Sequence, residues 1–132
     1  METIRVMIID EHPAVRRALK VRLDSTPDID VIAVAAGIAE GERLAYLTRP
    51  NVILLGLKSR PNNAAATLSP AVTSLNKLGS VVLILSTYPD DVEQEMFVRA
   101  GASGYLLKDI NSPQLIATIR KALSSPEANI NG

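Results

Sequence analysis

Ile4-Arg5-Val6-Met7-Ile8-Ile9-Asp10-Glu11-His12-Pro13 sets the fold: a β-branched apolar run, then two adjacent carboxylates, then a proline. A run of this kind suits a strand buried on both faces, as strands of a parallel sheet are. Pro13 suits a first helical turn, where its missing N–H costs nothing. Reading outward, similar runs recur at Asp30–Ala35, Val52–Leu55 and Val81–Leu85, with a shorter one at Gly104–Leu107. Between them Val15, Ala18, Leu19 and Leu23 follow the helix period, as do Val92, Met96 and Ala100, and Leu115, Ile119, Ala122 and Leu123. Asp90-Asp91 favours a helix start electrostatically, and Ser112-Pro113 reads as N-cap plus first helical residue. Gly101 and Gly104 read as a helix stop and the entry into the fifth strand.

Strand then helix, five times over, predicts an α/β fold: a doubly wound five-stranded parallel sheet in three layers, α/β/α. Such sheets bind at the carboxyl ends of their strands. The least regular stretch is Lys58–Leu78, with Arg60-Pro61-Asn62-Asn63 and Ser69-Pro70, where the expected helix is late, short or interrupted. Residues 1–124 read as one domain and 125–132 as a polar tail or the start of a linker.

Composition narrows the function classes. The chain has 132 residues, enough for one core and too few for two. Lys plus Arg and Asp plus Glu each number 14, so no global basic field exists to hold nucleic acid or an anionic membrane. The absence of cysteine excludes disulfides, thiolate metal sites and a cysteine nucleophile. The N-terminus reads neither as a signal peptide nor as a membrane span, and the expected location is cytoplasmic.

At the expected carboxyl edge, Asp10 and Glu11 form an acidic pair suited to a hard cation such as Mg²⁺. Ser86-Thr87-Tyr88 ends the fourth strand and Lys108-Asp109 follows the fifth, so a hydroxyl and an ammonium should lie near the acids. His12 lacks a second histidine and reads as a solvated ring in a turn. An enzyme is not expected. A flavin phosphate needs a loop of backbone donors where Asp10-Glu11 would repel it, and a carboxylate-nucleophile phosphatase needs an Asp-x-Asp pair.

Ile8-Ile9-Asp10-Glu11-His12-Pro13, Arg49-Pro50-Asn51-Val52-Ile53-Leu54-Leu55, Leu85-Ser86-Thr87-Tyr88 and above all Arg99-Ala100-Gly101-Ala102-Ser103-Gly104-Tyr105-Leu106-Leu107-Lys108-Asp109 resemble the receiver domains of bacterial response regulators. The resemblance is strongest to the NarL/LuxR type, whose members carry a helix-turn-helix DNA-binding domain, and it spans nearly the whole chain. It implies a flavodoxin-like fold and a two-component system in which an acidic pair holds Mg²⁺ and an aspartate ending the third strand accepts a phosphoryl group. It assigns Asp10 and Glu11 to the metal pair, Ser86 to the switch hydroxyl, Tyr105 to the rotating aromatic and Lys108 to the conserved lysine. The acceptor position is Gly56, which has no side chain to phosphorylate. Lys58-Ser59-Arg60-Pro61-Asn62-Asn63 also lacks the family's usual Met-Pro and later Gly turn, which favours a naturally degenerate site over a single engineered change. The expectation is an atypical, phosphorylation-independent receiver acting in transcription regulation. No cofactor is required, and Mg²⁺ binding is weak or lost. The expected partners are a homodimer mate and DNA through a domain absent from this chain. The alternative is a small molecule in the space vacated near Gly56. Without the third carboxylate, Lys108 is expected to approach Asp10 or Glu11 directly.

Overall fold

The computed structural model describes residues 3–58 and 64–124, so the expected tail at 125–132 and the turn at 59–63 lie outside the described residues. Five strands alternate with five helices: β1 (Ile4–Ile9), α1 (Pro13–Asp24), β2 (Ile29–Ala35), α2 (Ile38–Thr48), β3 (Val52–Gly56), α3 (Ala64–Lys77), β4 (Val81–Ser86), α4 (Asp91–Ala100), β5 (Gly104–Leu107) and α5 (Ser112–Leu123). All pairings are parallel, in the order β2-β1-β3-β4-β5. The predicted doubly wound α/β sheet is the observed one.

Strand alternation sorts the core into two layers. Met7, Ile9, Ile53, Leu55, Val82 and Ile84 point to one face, where Ala45, Val72, Leu75 and Phe97 of α2, α3 and α4 cover them. Val6, Ile8, Val52, Leu54, Leu83 and Leu85 point to the other, under Leu19 and Leu23 of α1 and Leu115 and Ile119 of α5. Burial on both faces explains why the three central strands read as continuous apolar runs rather than alternating ones. The edge strands β2 and β5 are only partly buried.

The local signals held with two corrections. Pro13 opens α1, the Asp90 carboxylate accepts the Glu93 N–H, and α4 ends at Gly101 with φ of 117°, a conformation that favours glycine. The cap of α5 is Asn111, whose side chain accepts from Gln114 N, and not Ser112. Both residue types cap helices, and the one placed in extended backbone takes the role. The second correction concerns α3, which starts late as expected but runs 14 residues without interruption through Pro70. Pro70 removes one backbone donor in the helix interior. It lies on the exposed side with Ala66, while Ala65, Ala71, Val72 and Leu75 stay buried against the sheet. The carbonyl that loses its partner therefore faces water, and apolar burial holds the helix together. Among the described residues no helix is long and apolar enough to cross a membrane.

Candidate functional site at the carboxyl edge of the sheet

The chain leaves β1 toward β2 on one side and reaches β3 on the other, so a crevice opens where those strands end. Ile9 is paired with Leu55, which sets Asp10 beside Gly56. Gly56 is paired with Leu85, which brings Ser86 close. Lys108 N donates to Ser86 O at 2.8 Å, completing the row. Parallel register alone thus gathers Asp10, Gly56, Ser86 and Lys108 from four separate parts of the sequence.

Asp10 is the centre of this row and is only 1% exposed. Its Oδ1 accepts from His12 N at 2.9 Å and lies 3.2 Å from His12 Nδ1. Its backbone carbonyl accepts from Arg16 Nη1 at 2.7 Å. Its Oδ2 sits 2.9 Å from the Lys108 ammonium, whose side chain is 13% exposed. That contact is a close ion pair, in which the ammonium serves the buried Oδ2. His12 is therefore not the free solvated ring its sequence context suggests. It is half-exposed, with its ring against Asp10.

Gly56 explains the posture of Asp10. A Cβ built at Gly56 would lie 1.9 Å from Asp10 Oδ2 and 2.7 Å from Asp10 Cγ. The Asp10 carboxylate occupies the space into which any side chain at position 56 would project. The expected room over Gly56 is thus already filled, and the open volume lies to one side. That volume is a cleft of about 430 Å³ lined by Ile9, Ile38, Leu55 and Leu68 as apolar walls, with Asp10, Glu11 and Lys58 among its polar residues. Glu11 is half-exposed and pairs loosely with Lys58 at 3.7 Å.

Ser86 Oγ donates to Tyr88 O at 2.8 Å and lies 3.3 Å from Tyr88 N, so it satisfies the backbone at its own strand end. The Tyr105 hydroxyl donates to Glu93 Oε1 at 2.7 Å and lies 3.3 Å from Tyr88 O. Its ionisation is pushed up to about 12, first by burial of the phenol and then by the Glu93 and Asp90 carboxylates, with Ser86 acting in the opposite direction. Sequence reasoning missed Glu93 as the partner that ties Tyr105 to α4. The Asp90 cap places Glu93 in the first turn of α4, but its meeting with Tyr105 of β5 depends on how the two elements pack.

The expected Mg²⁺ pair does not fit a retained metal site. Residue 56 offers no carboxylate, one oxygen of Asp10 is engaged by His12 and the other faces an ammonium. No group of three or more potential side-chain ligands exists among the described residues. Nor can an acyl phosphate form at a glycine side chain.

A family model described as the response regulator receiver domain matches residues 6–120. The chain is 34% identical over 119 residues to the transcriptional regulatory protein LiaR of Bacillus subtilis (strain 168), covering 90% of this chain and 56% of that protein. It is 31% identical over 121 residues to the nitrate/nitrite response regulator protein NarL of Escherichia coli (strain K12), covering 92% and 55%. The chain thus spans about half the length of these curated relatives. Among solved structures, the signal receiver domain of the response regulator NarL from Mycobacterium tuberculosis superposes with a TM-score of 0.82 at 26% identity, covering 95% of this chain and 99% of that one. Five parallel strands in this order, the run from Arg99 to Asp109 and these matches together show that the chain belongs to the response regulator receiver domain family, among relatives of the NarL/LuxR type.

Proposed function

We propose that this domain signals through protein contacts without aspartyl phosphorylation, as the regulatory part of a cytoplasmic transcription regulator rather than as an enzyme. The observation that carries this reading is the Asp10 carboxylate lying in the side-chain space of Gly56 and paired with Lys108. Asp10, Glu11, Ser86, Tyr105 and Lys108 match the family's positions by resemblance, but here Asp10 pairs with Lys108, Ser86 bonds to backbone, Tyr105 bonds to Glu93 and Glu11 pairs loosely with Lys58. Self-association uses either α1 with α5 or the α4 face, and the exposure of Val92 and Met96 on α4 supports the second. DNA is contacted by a helix-turn-helix domain outside this chain, a reading supported by relatives that are named as regulators and of which this chain matches 55–56% of the length.

The test is an amide NMR spectrum recorded while Mg²⁺ and then beryllofluoride are added. No response at Ser86, Tyr105 and Lys108 is expected. A saturable, Mg²⁺-dependent shift spreading into α4 overturns the reading. A strict monomer at high concentration, in this domain and in any longer form, would remove the dimer from it.

A second reading, in which a small molecule supplies the signal beside Gly56, is favoured by the cleft between α2 and α3.

A further inference from the structure

The chain is neutral overall, but its charge is split between two faces. Helices α1 and α5, which cover one side of the sheet, carry six bases against one acid, Asp24. Residues 90–100, the cap and body of α4 on the other side, carry four acids against one base, Arg99. Two α4 faces brought together about a two-fold axis would set acid against acid, and two faces of α1 and α5 would set base against base. The match of opposite sign on this molecule is α1 against α4.

The two helices also match in detail. On α1, Arg17, Lys20 and Asp24 recur at i, i+3 and i+7 and are exposed. Beside them is Val21, the one large apolar side chain that α1 and α5 leave exposed among the described residues. On α4, Asp91, Glu95 and Arg99 recur at i, i+4 and i+8 and are exposed, beside the exposed Val92 and Met96. At about 1.5 Å per residue, the two charged rows are about 10 Å and about 12 Å long. Laid parallel, they set Arg17 against Asp91, Lys20 against Glu95 and Asp24 against Arg99, with Val21 between Val92 and Met96. Laid antiparallel, they set Arg17 against Arg99 and Asp24 against Asp91, so the signs select the parallel arrangement.

Each row is paired in part within its own helix: Lys20 lies 2.6 Å from Asp24, and Arg99 lies 2.6 Å from Glu95. Exposed pairs of this kind contribute little alone, whereas the two pairs stacked in parallel form one network of four alternating charges. Arg17 and Asp91 have no ion pair or side-chain hydrogen bond among the described residues, and each gains one in this arrangement.

We infer that copies of this domain associate head to tail, the α4 face of one seated in parallel on α1 of the next. The inference rests on the α4 alternative for self-association proposed above and names the surface that α4 meets. In a parallel sheet with helical crossovers every helix runs opposite to the strands, so a parallel α1 and α4 keep neighbouring sheets running in the same direction. A copy seated on its neighbour's α1 still offers its own α1. The contact is heterologous and does not close after two copies, so it builds an open row and not a symmetric dimer.

Sedimentation equilibrium of the intact domain should give a weight-average mass that keeps rising past the dimer as concentration approaches about 1 mM. Raising salt from about 0.05 M to about 0.5 M should weaken the association about tenfold. Arg17→Glu with Lys20→Glu reverses α1, and Asp91→Lys with Glu95→Lys reverses α4; all four positions are exposed, which leaves the core intact. Each double variant alone should be monomeric. Their equimolar mixture should associate again, because each variant's α4 then meets an oppositely charged α1. An α1 variant that associates like the unchanged chain would assign the contact to paired α4 faces, and an α4 variant that does so would assign it to paired faces of α1 and α5. Either result overturns the head-to-tail contact and leaves self-association standing. A mixture that stays monomeric, a mass that stops at the dimer, or association insensitive to salt would overturn it as well. A strict monomer throughout overturns the contact and the self-association reading together, without touching the beryllofluoride result at Ser86, Tyr105 and Lys108.

Discussion

The two sides of Asp10 differ in how fully their polar groups are matched. Toward β4 and β5, Lys108 meets Asp10, Ser86 closes on Tyr88, and Tyr105 reaches Glu93. Toward β2 and α3 the walls are apolar, Glu11 pairs only loosely with Lys58, and a cleft remains. One carboxylate stands between a side whose polar groups satisfy one another and a side that has space. On the first side, Ser86, Tyr105 and Lys108 all have partners within the domain. The opposite side retains unused volume.

Breaking the matched side should have the largest effect. Lys108→Met leaves the buried Asp10 charge without its cation and should cost about 3 kcal/mol, read as a lower urea midpoint at unchanged slope. Combining it with Asp10→Asn should recover much of the loss, since the uncompensated charge then disappears. Full additivity of the two changes would mean the 2.9 Å pair contributes nothing as a pair.

The next effect tests the boundary between the two sides. Gly56→Ala sets a methyl group against Asp10 Oδ2 and should destabilise by about 1–3 kcal/mol. The penalty should shrink in an Asp10→Ala background, where the conflicting atoms are absent. An unchanged penalty there would place the strain elsewhere. Gly56→Asp meets the same obstruction, so a carboxylate restored at that position should not take up phosphoryl from acetyl phosphate unless Asp10 is displaced. Intact mass measures this directly.

A smaller effect concerns Tyr105. Its ionisation near 12 lies above the ordinary value of 10.0, so the folded state holds the phenolic proton more tightly than the unfolded chain does. The resulting stabilisation is full below pH 10 and is lost as pH rises from 10 toward 12. Glu93→Gln removes a negative neighbour and should move the tyrosine absorbance titration down toward 10. Burial is the first cause of the shift, so part of it should remain. An unmoved titration would show that the bond from Tyr105 to Glu93 does not persist in solution.

The smallest effect is expected on the open side. Glu11→Gln should change the unfolding free energy by no more than about 0.5 kcal/mol, because its partner Lys58 is exposed and 3.7 Å away. A loss as large as that of Lys108→Met would erase the contrast between the two sides.

Much of this was legible in the chain. The apolar run from Ile4 to Ile9, its repeats, and the helix-period residues between them required the sheet and its two covered faces, because local sterics and burial act on short windows. Gly56 by itself excluded an acyl phosphate there, since a missing side chain needs no fold to interpret. An approach of Lys108 to Asp10 or Glu11 was also expected once the resemblance placed all three at one edge, and the structure pairs it with Asp10.

What the sequence could not decide was how the remaining groups divide the space. His12 turned onto Asp10, Glu93 took the hydroxyl of Tyr105, α3 continued through Pro70, and Asp10 filled the side-chain space of Gly56. Each outcome depends on which atoms become neighbours after the strands are in register, over separations that no local window contains. The sequence by itself thus determined the sheet and the absence of an acceptor at residue 56. Only the tertiary structure decided that Asp10 occupies the space left at that position, and that the remaining room lies beside it, between α2 and α3.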